Sequence, residues 1–198
     1  MTASFSHIDF NAIREEDLIV FFEQRHHAHA INLLELILKN FDSALHQEHT
    51  LHEGAEYLLN LLLDLRKQVG KIFAIEQESI FPFVRTMLEI RANKTPVRFL
   101  NINLSESSIR AIRLEHSRVL DLLHSIRQFT HSYTPPVRCN ETLKLVYAEL
   151  EEFDRDFGQL LHREIEFLFP RIIALEQEVM QRTDEAAQEG KRFRSGIE

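Results

Sequence analysis

The clearest structural signal in this chain is the stretch LKLVYAELEEFDRDFGQLLHREIEFLFPRI, residues 143–172. Apolar residues recur in it every three or four positions, which is the period of one face of an α-helix. A helix with such a face is stable only when the face packs against other elements. The residues of this face are Leu143, Val146, Tyr147, Leu150, Phe153, Phe157, Leu160, Leu161, Ile165, Leu168 and Ile172.

The same stretch contains an apparent metal-binding pair, His162 and Glu166, whose spacing of four residues places both on one helix face. A helix advances about 100° per residue, so His162 lies about 200° from Leu160, on the polar side. Glu164 lies only about 40° from Leu160 by the same count, on the apolar side. The sequence therefore predicts that His162 and Glu166 face solvent and that Glu164 faces the core.

Three segments that precede this stretch also show the helical period. One link separates the second predicted helix from the third, and another separates the third from the fourth. With only five glycines and five prolines, the chain favours few and long elements. The sequence therefore predicts an all-α fold, an up-down-up-down four-helix bundle. The predicted helices cover about 15–43, about 53–91, residues from Ser105 and residues from near Asn140; the links are 92–104 and 133–139.

The bundle is predicted to span residues 15–176, after an N-terminal extension of residues 1–14. Residues 177–198 lose the apolar period, so we predict a frayed helix end or a disordered tail there. Pro82 removes a backbone donor and crowds the preceding turn, which predicts a kink or a break in the second helix.

Composition argues against several classes of protein. The net charge of −8, with no basic stripe, disfavours a nucleic-acid partner. No run of about 18 apolar residues exists, and the first ten residues, MTASFSHIDF, lack a basic stretch followed by an apolar one, so we expect neither a membrane span nor a secretory signal. The single cysteine, Cys139, forms no internal disulfide and fits a cytoplasmic protein.

Each predicted apolar face is interrupted by one side chain that can bind a metal ion: His26, Glu76, His116 and Glu164. Burying such a group without a partner costs several kcal/mol for a charge and less for a neutral imidazole. Four of them at a common centre could share one cation. The alternative is that each is satisfied separately by a hydrogen bond or a salt bridge.

Five stretches resemble the hemerythrin-like (HHE cation-binding) family, and specifically its Ric-type di-iron proteins, which repair iron–sulfur clusters under nitrosative and oxidative stress. Two of them share a Glu-x5-Pro pattern with Phe before the proline. The resemblance covers about residues 18–175. The stretches are RHHAHAINLLELI (25–37), EQESIFP (76–82), LEHSRVLDLL (114–123), TPPVRC (134–139) and EIEFLFP (164–170).

The resemblance implies that His26 and His116 are metal ligands and that Glu76 and Glu164 are bridging carboxylates. The family places a histidine four residues before each glutamate, where this chain has Ile72 and Leu160. Iron is the implied metal, in a mononuclear or dinuclear non-haem site, with Zn or Mn as alternatives. His29 is a candidate additional ligand, or a residue that contacts the ligands without binding the metal.

The resemblance also implies a stress-response role, with O₂, NO or iron–sulfur proteins as partners and a homodimer as one arrangement. A metal-free bundle that acts as a protein-interaction module is the main alternative. An enzyme with a mononuclear iron or zinc is a weaker alternative, which needs a pocket with an open coordination position beside His26 and His116.

Two other groups of residues are candidates for chemistry. The stretch LHQEHTLHE, residues 45–53, spaces His46, His49 and His52 three apart, which would suit a loose Zn or Ni site on a helix. A hydrophilic connection between helices is the simpler interpretation. Cys139 lies in a proline-containing loop, and we interpret it as an ordinary loop cysteine.

Overall fold

The computed structural model describes residue 10 and residues 12–47, 54–93 and 104–195, and all the regular structure in those residues is helical. The helices form four long rods in an all-α bundle, as predicted. The first rod is α1 (Glu15–Phe21), π1 (Phe22–His27) and α2 (Ala28–Gln47). The second is α3 (Ala55–Ile75), π2 (Glu76–Ile80) and α4 (Phe81–Arg91). The third is α5 (Leu104–Phe129), and the fourth is α6 (Glu141–Arg163), π3 (Glu164–Leu168) and α7 (Phe169–Ser195).

Local sequence explains where the fourth rod begins and why a proline does not break the second rod. Asn140 begins the fourth rod, because its Oδ1 accepts a hydrogen bond of 2.7 Å from the backbone N–H of Leu143. Pro82 does not break the second rod. It follows Phe81 at the start of α4, just after the π-helical turn π2, where a missing backbone donor is tolerated.

The core runs along the axis between the rods. Helix α3 packs on α2 and α5, and α5 packs on α7, so rods that follow one another in the chain lie side by side. Helix α2 packs on α6, so the fourth rod also lies against the first. Large side chains with less than 2% exposure fill the core, among them Phe22, Phe41, Phe81, Phe153, Phe157 and Phe169. Burial of this kind is the main source of folding free energy in such a bundle.

An ion-pair cluster ties the beginning of the first rod to the second and fourth. Glu15 Oε1 accepts from Arg171 at 2.8 Å, and Glu15 Oε2 accepts from Arg91 at 3.1 Å. Burial alone would raise the pKa of Glu15, but these hydrogen bonds outweigh it and hold the pKa at about 2. Arg171 also donates to the carbonyl oxygen of Phe10 at 3.0 Å. The start of the first rod is therefore fixed against its neighbours.

The opposite end of the bundle contains a left-handed turn. His131, Ser132 and Tyr133 have φ of 50°, 57° and 60°, a region that non-glycine residues seldom adopt. The turn is held by Tyr133, whose hydroxyl donates to Asp154 at 2.7 Å. Next to it is an apolar cavity of about 600 Å³, whose wall includes Phe41, Phe129 and Tyr147.

Some sequence predictions differ from the structure in detail. Helical periodicity places Leu36 on the apolar face of the first predicted helix, Leu120 on that of the third and Ile165 on that of the fourth, but they are 43%, 47% and 37% exposed. Ile165 turns outward because it lies within π3, where the wider turn changes the phase. The last rod stays helical to Ser195, through most of the predicted tail. No helix in the described part of the chain is long and apolar enough to cross a membrane.

We expect Gly54→Ala to destabilise the protein by about 1–3 kcal/mol, measured by urea unfolding. Gly54 has φ of +82°, and a β-carbon there would lie 2.5 Å from Cζ of Phe129. Gly70→Ala is the matched control, because its β-carbon would meet nothing within 4 Å inside α3. It should stabilise by about 0.5–1 kcal/mol. Equal effects of the two changes would contradict this account of the backbone at Gly54.

Candidate metal centre

Two histidine–glutamate pairs lie in the middle of the bundle. His27 Nε2 is 2.9 Å from Glu76 Oε2, joining the first rod to the second. His116 Nε2 is 3.0 Å from Glu164 Oε2, joining the third rod to the fourth. The two glutamates have no exposed surface, and the two imidazole side chains are 3% exposed. Each rod therefore contributes one buried side chain that can bind a metal ion.

The two pairs are close enough to act as one site. His27, Glu76 and Glu164 each offer a ligand atom, and these three atoms lie within 4.8 Å of one another. His116 joins the group through its contact with Glu164. The centre thus has two imidazoles and two carboxylates, a mixed nitrogen and oxygen set that suits Fe(II), Zn(II) or Mn(II).

The short contacts within the pairs do not have hydrogen-bond geometry. The side-chain nitrogens of His27 and His116 and all four oxygens of Glu76 and Glu164 are buried and make no aligned hydrogen bond. Two ligand atoms about 2.1 Å from one ion, at right angles, are about 3 Å apart without pointing at each other. The observed distances and misalignment fit shared ligands of a cation better than two ordinary ion pairs.

Wide helical turns position three of the four side chains. His27 is the last residue of π1, Glu76 is the first of π2, and Glu164 is the first of π3. A π-turn inserts about one residue relative to an α-helix, and such turns occur frequently at functional sites. His116 lies inside the regular helix α5.

Burial makes the charged forms of these groups unfavourable. It raises the pKa of Glu76 and raises that of Glu164 well above the ordinary range, with the neighbouring Glu76 carboxylate adding to the effect on Glu164. Burial also lowers the pKa of His116 to about 4, so this imidazole is neutral near pH 7. Neutral imidazoles and ionised carboxylates are the forms that bind metal, and a bound cation would favour ionisation of the glutamates.

Glu76, His116 and Glu164 of the predicted ligand set lie at the centre, but His26 does not contact the carboxylates. Its neighbour His27 holds that position instead. The ring of His26 packs between Phe21, at a centroid distance of 4.7 Å, and Phe22, at 5.7 Å. The physical reason is π1, which shifts the helix phase between the two halves of the first rod.

A signal for His27 was present in the sequence. His26 continues the spacing of Ile19 and Phe22 from the upstream side, whereas His27 lies seven residues before Leu34. Two apolar faces that disagree by one residue indicate an inserted residue between them. Extension of the upstream face alone predicts His26.

The remaining candidate ligands lie away from the centre. The His29 side chain is 58% exposed, and its Nε2 is 4.0 Å from Asp156 Oδ2. His162 and Glu166 are both exposed, as predicted from helix phase. Ile72 and Leu160 are 0% and 2% exposed, so the positions one turn before the glutamates are apolar core.

Among the described residues, His46 does not belong to the group whose ligand atoms lie together. His46 Nδ1 contacts the carbonyl oxygen of Asp42 at 2.8 Å on an exposed surface. His49 and His52 lie outside the described residues. Cys139 is partly buried at the edge of the core, in the loop before α6.

Comparison with known proteins gives distant relatives. The chain is 26% identical over 161 residues to the iron–sulfur cluster repair protein YtfE of Yersinia pseudotuberculosis, covering 79% of this chain and 65% of that protein. It is 27% identical over 169 residues to the protein of the same name from Edwardsiella ictaluri, covering 84% and 70%. A third relative of that name, from Musicola paradisiaca, is 27% identical over 161 residues. No family model matches the chain.

Glu164→Gln should stabilise the metal-free protein, and increasingly so as pH rises. Because the folded-state pKa of Glu164 is raised, this carboxyl favours folding below its ordinary pKa of 4.5 and opposes folding as pH rises through the folded-state value. Glutamine keeps the shape without the charge. We expect a gain that grows as pH rises above the ordinary carboxyl pKa of 4.5 and reaches about 1–3 kcal/mol in denaturant unfolding with chelator present.

Glu166→Gln is the control for that measurement. Glu166 lies two residues further along the same turn and is exposed, so its substitution should leave the unfolding free energy unchanged at every pH. A loss of stability in Glu164→Gln, or a gain independent of pH, would contradict the assignment of Glu164 as a buried carboxyl in an unfavourable environment.

Proposed function

We propose that this protein is a hemerythrin-like bundle that binds non-haem iron and handles that iron in the repair of iron–sulfur clusters during nitrosative or oxidative stress. The observation that supports the proposal most is the pair of buried histidine–glutamate contacts. Their 2.9 Å and 3.0 Å distances lack hydrogen-bond geometry, and their carboxylates meet at one place.

His27, His116, Glu76 and Glu164 would hold the metal in this proposal. Bound iron would supply coordination positions for small molecules such as O₂ or NO, in addition to being available for donation. The apolar Ile72 and Leu160 limit the protein to two imidazole ligands. Such a set favours a weaker and more readily exchanged ion than one with more histidines.

Aromatic residues fix the orientation of both imidazoles. His27 stacks on Phe73, with ring centroids 3.9 Å apart and an interplanar angle of 14°. His116 stacks on Phe169, with centroids 5.8 Å apart. These rings also exclude water, which strengthens electrostatic interactions at the centre. Phe81 and Phe169 both directly precede a proline, in the repeated Glu-x5-Pro pattern.

The repair role rests on the distant relatives, all of which are named iron–sulfur cluster repair proteins. A buried centre that binds iron with few protein ligands suits a protein that takes up and releases the ion.

Metal binding can be tested by anaerobic titration of the purified protein with Fe(II), followed by metal analysis and thermal unfolding. We expect about one or two ions per chain. At a free metal concentration of about 100 times Kd the stabilisation should be about 2.7 kcal/mol, or about 5–11 °C in Tm. His116→Leu and Glu76→Gln should abolish both effects.

His162→Ala is the matched control, since this exposed histidine lies on the outer face of the fourth rod, two residues before Glu164. It should bind iron as the wild type does. A wild-type protein that stays metal-free under these conditions, with a Tm unaffected by chelator, would contradict the proposal and favour the metal-free interaction module.

The repair role has its own test. Iron-loaded protein should restore the activity of a [4Fe–4S] hydratase whose cluster has lost one iron, in the presence of a chelator that removes free Fe(II). Glu76→Gln protein, prepared with the same total iron, should not restore it. If the chain binds iron but gives no more reactivation than chelated Fe(II), the repair role fails while the metal site stands.

A further inference from the structure

We propose that His26 and His27 are alternative ligands for one coordination position, and that the location of the wide turn in the first rod decides which of them reaches the centre. This inference rests on the proposed metal-binding function. It arises from the coincidence of the wide turn π1 with two adjacent, buried histidines.

The first rod is fixed on both sides of the wide turn. Upstream, Leu18 and Ile19 are each 1% exposed, and Glu15 pairs with Arg91 and Arg171. Downstream, Leu34 and Ile37 have no exposed surface. Neither half can rotate without exposing apolar area, so the extra residue must be accommodated somewhere between them.

The two fixed halves assign the central position to different histidines. Counting from Ile19 in the upstream half, two helical turns lead to His26. Counting back from Leu34 in the downstream half, two turns lead to His27. With the wide turn at Phe22–His27, the downstream register applies at the centre and His27 faces Glu76.

Moving the wide turn to the C-terminal side of His27 would extend the upstream register through the centre. The helix between the old and new positions would then rotate by about 100° and bring His26 to the place of His27. Both anchors would keep their contacts. The change is therefore confined to the segment around residues 22–31.

The current position of His26 is compatible with this exchange. Its side chain is mostly buried, at 9% residue exposure, and packs edge-on against Phe21. A mostly buried imidazole one residue from a proposed ligand needs only a local rotation to replace it.

The test is a cycle of leucine substitutions at the two histidines, read out by titration with Co(II) and its visible absorption. In His27→Leu, only the fraction of molecules in the alternative register can bind Co(II) through His26, and the apparent affinity falls in proportion to that fraction. We therefore expect His27→Leu to bind about tenfold more weakly than wild type. His26→Leu should bind within about twofold of wild type. The double variant should bind at least about a hundredfold more weakly.

Other results of this cycle overturn the inference. If His27→Leu binds as weakly as the double variant, His26 does not replace His27. If His26→Leu alone loses as much affinity as His27→Leu, the two histidines bind together and are not alternatives. If the wild type itself binds neither Co(II) nor Fe(II), the proposed function fails as well, so the two failures are distinguishable.

Deletion of Gln24 tests the role of the wide turn directly. Gln24 is exposed within π1, and its removal eliminates the extra residue, so both halves share one register with His27 at the centre. The deletion should leave Co(II) affinity within about twofold of wild type. Combined with His27→Leu, it should bind as weakly as the double leucine variant, because His26 can no longer take the position.

Gln24→Ala, which keeps the chain length, is the control and should behave as the wild type in each background. Circular dichroism of every variant checks that the bundle is folded. The inference is wrong if deletion of Gln24 together with His27→Leu retains the Co(II) affinity of His27→Leu alone.

Discussion

The burial of two carboxylates at the centre of an apolar bundle is the constraint on which the rest of this structure depends. Glu76 and Glu164 have no exposed surface and come from two different rods. An ionised carboxylate in such a place costs several kcal/mol unless it is neutralised. Near neutral pH the bundle can satisfy this constraint in two ways, by protonating the carboxyls or by binding a cation. The imidazoles of His27 and His116, whose nitrogens lie 2.9 Å and 3.0 Å from these carboxylates, are consistent with the second.

The wide turns show how the backbone meets that constraint. The third rod brings His116 to the centre from a regular helix. The first, second and fourth rods each contain an inserted residue, in π1, π2 and π3, which changes the helix phase where the rod passes the centre. The apolar faces on either side stay buried, and the side chains that can bind a metal ion lie at the centre. Phe73 and Phe169, stacked on the two imidazoles, then hold the rings in place.

Much of this arrangement could be predicted from the sequence, because helix periodicity is a local property. The four rods, the inward position of Glu164 and the outward position of His162 all follow from counting about 100° per residue. The exchange of His26 for His27 could not be found by extending one apolar face, since it depends on an inserted residue. The need for that insertion comes from tertiary anchors on either side of it, Glu15 upstream, which pairs with Arg171 of the fourth rod, and the buried Leu34 downstream. The exposure of Leu36 and Leu120 depends likewise on which rods are neighbours.

The apolar residues Ile72 and Leu160 bear on what kind of centre this chain can form. Each lies one helical turn before a buried glutamate, where a histidine would face the same centre, and each is packed into the core. Their side chains add core packing and remove two candidate nitrogen ligands. If the centre binds a metal ion as proposed, folding would depend less on that ion than it would with four histidines, and the affinity for the ion would be lower. In a protein whose proposed role is to take up iron and pass it on, a bundle that stays folded after the ion has left is the more useful design, because the empty protein can be loaded again.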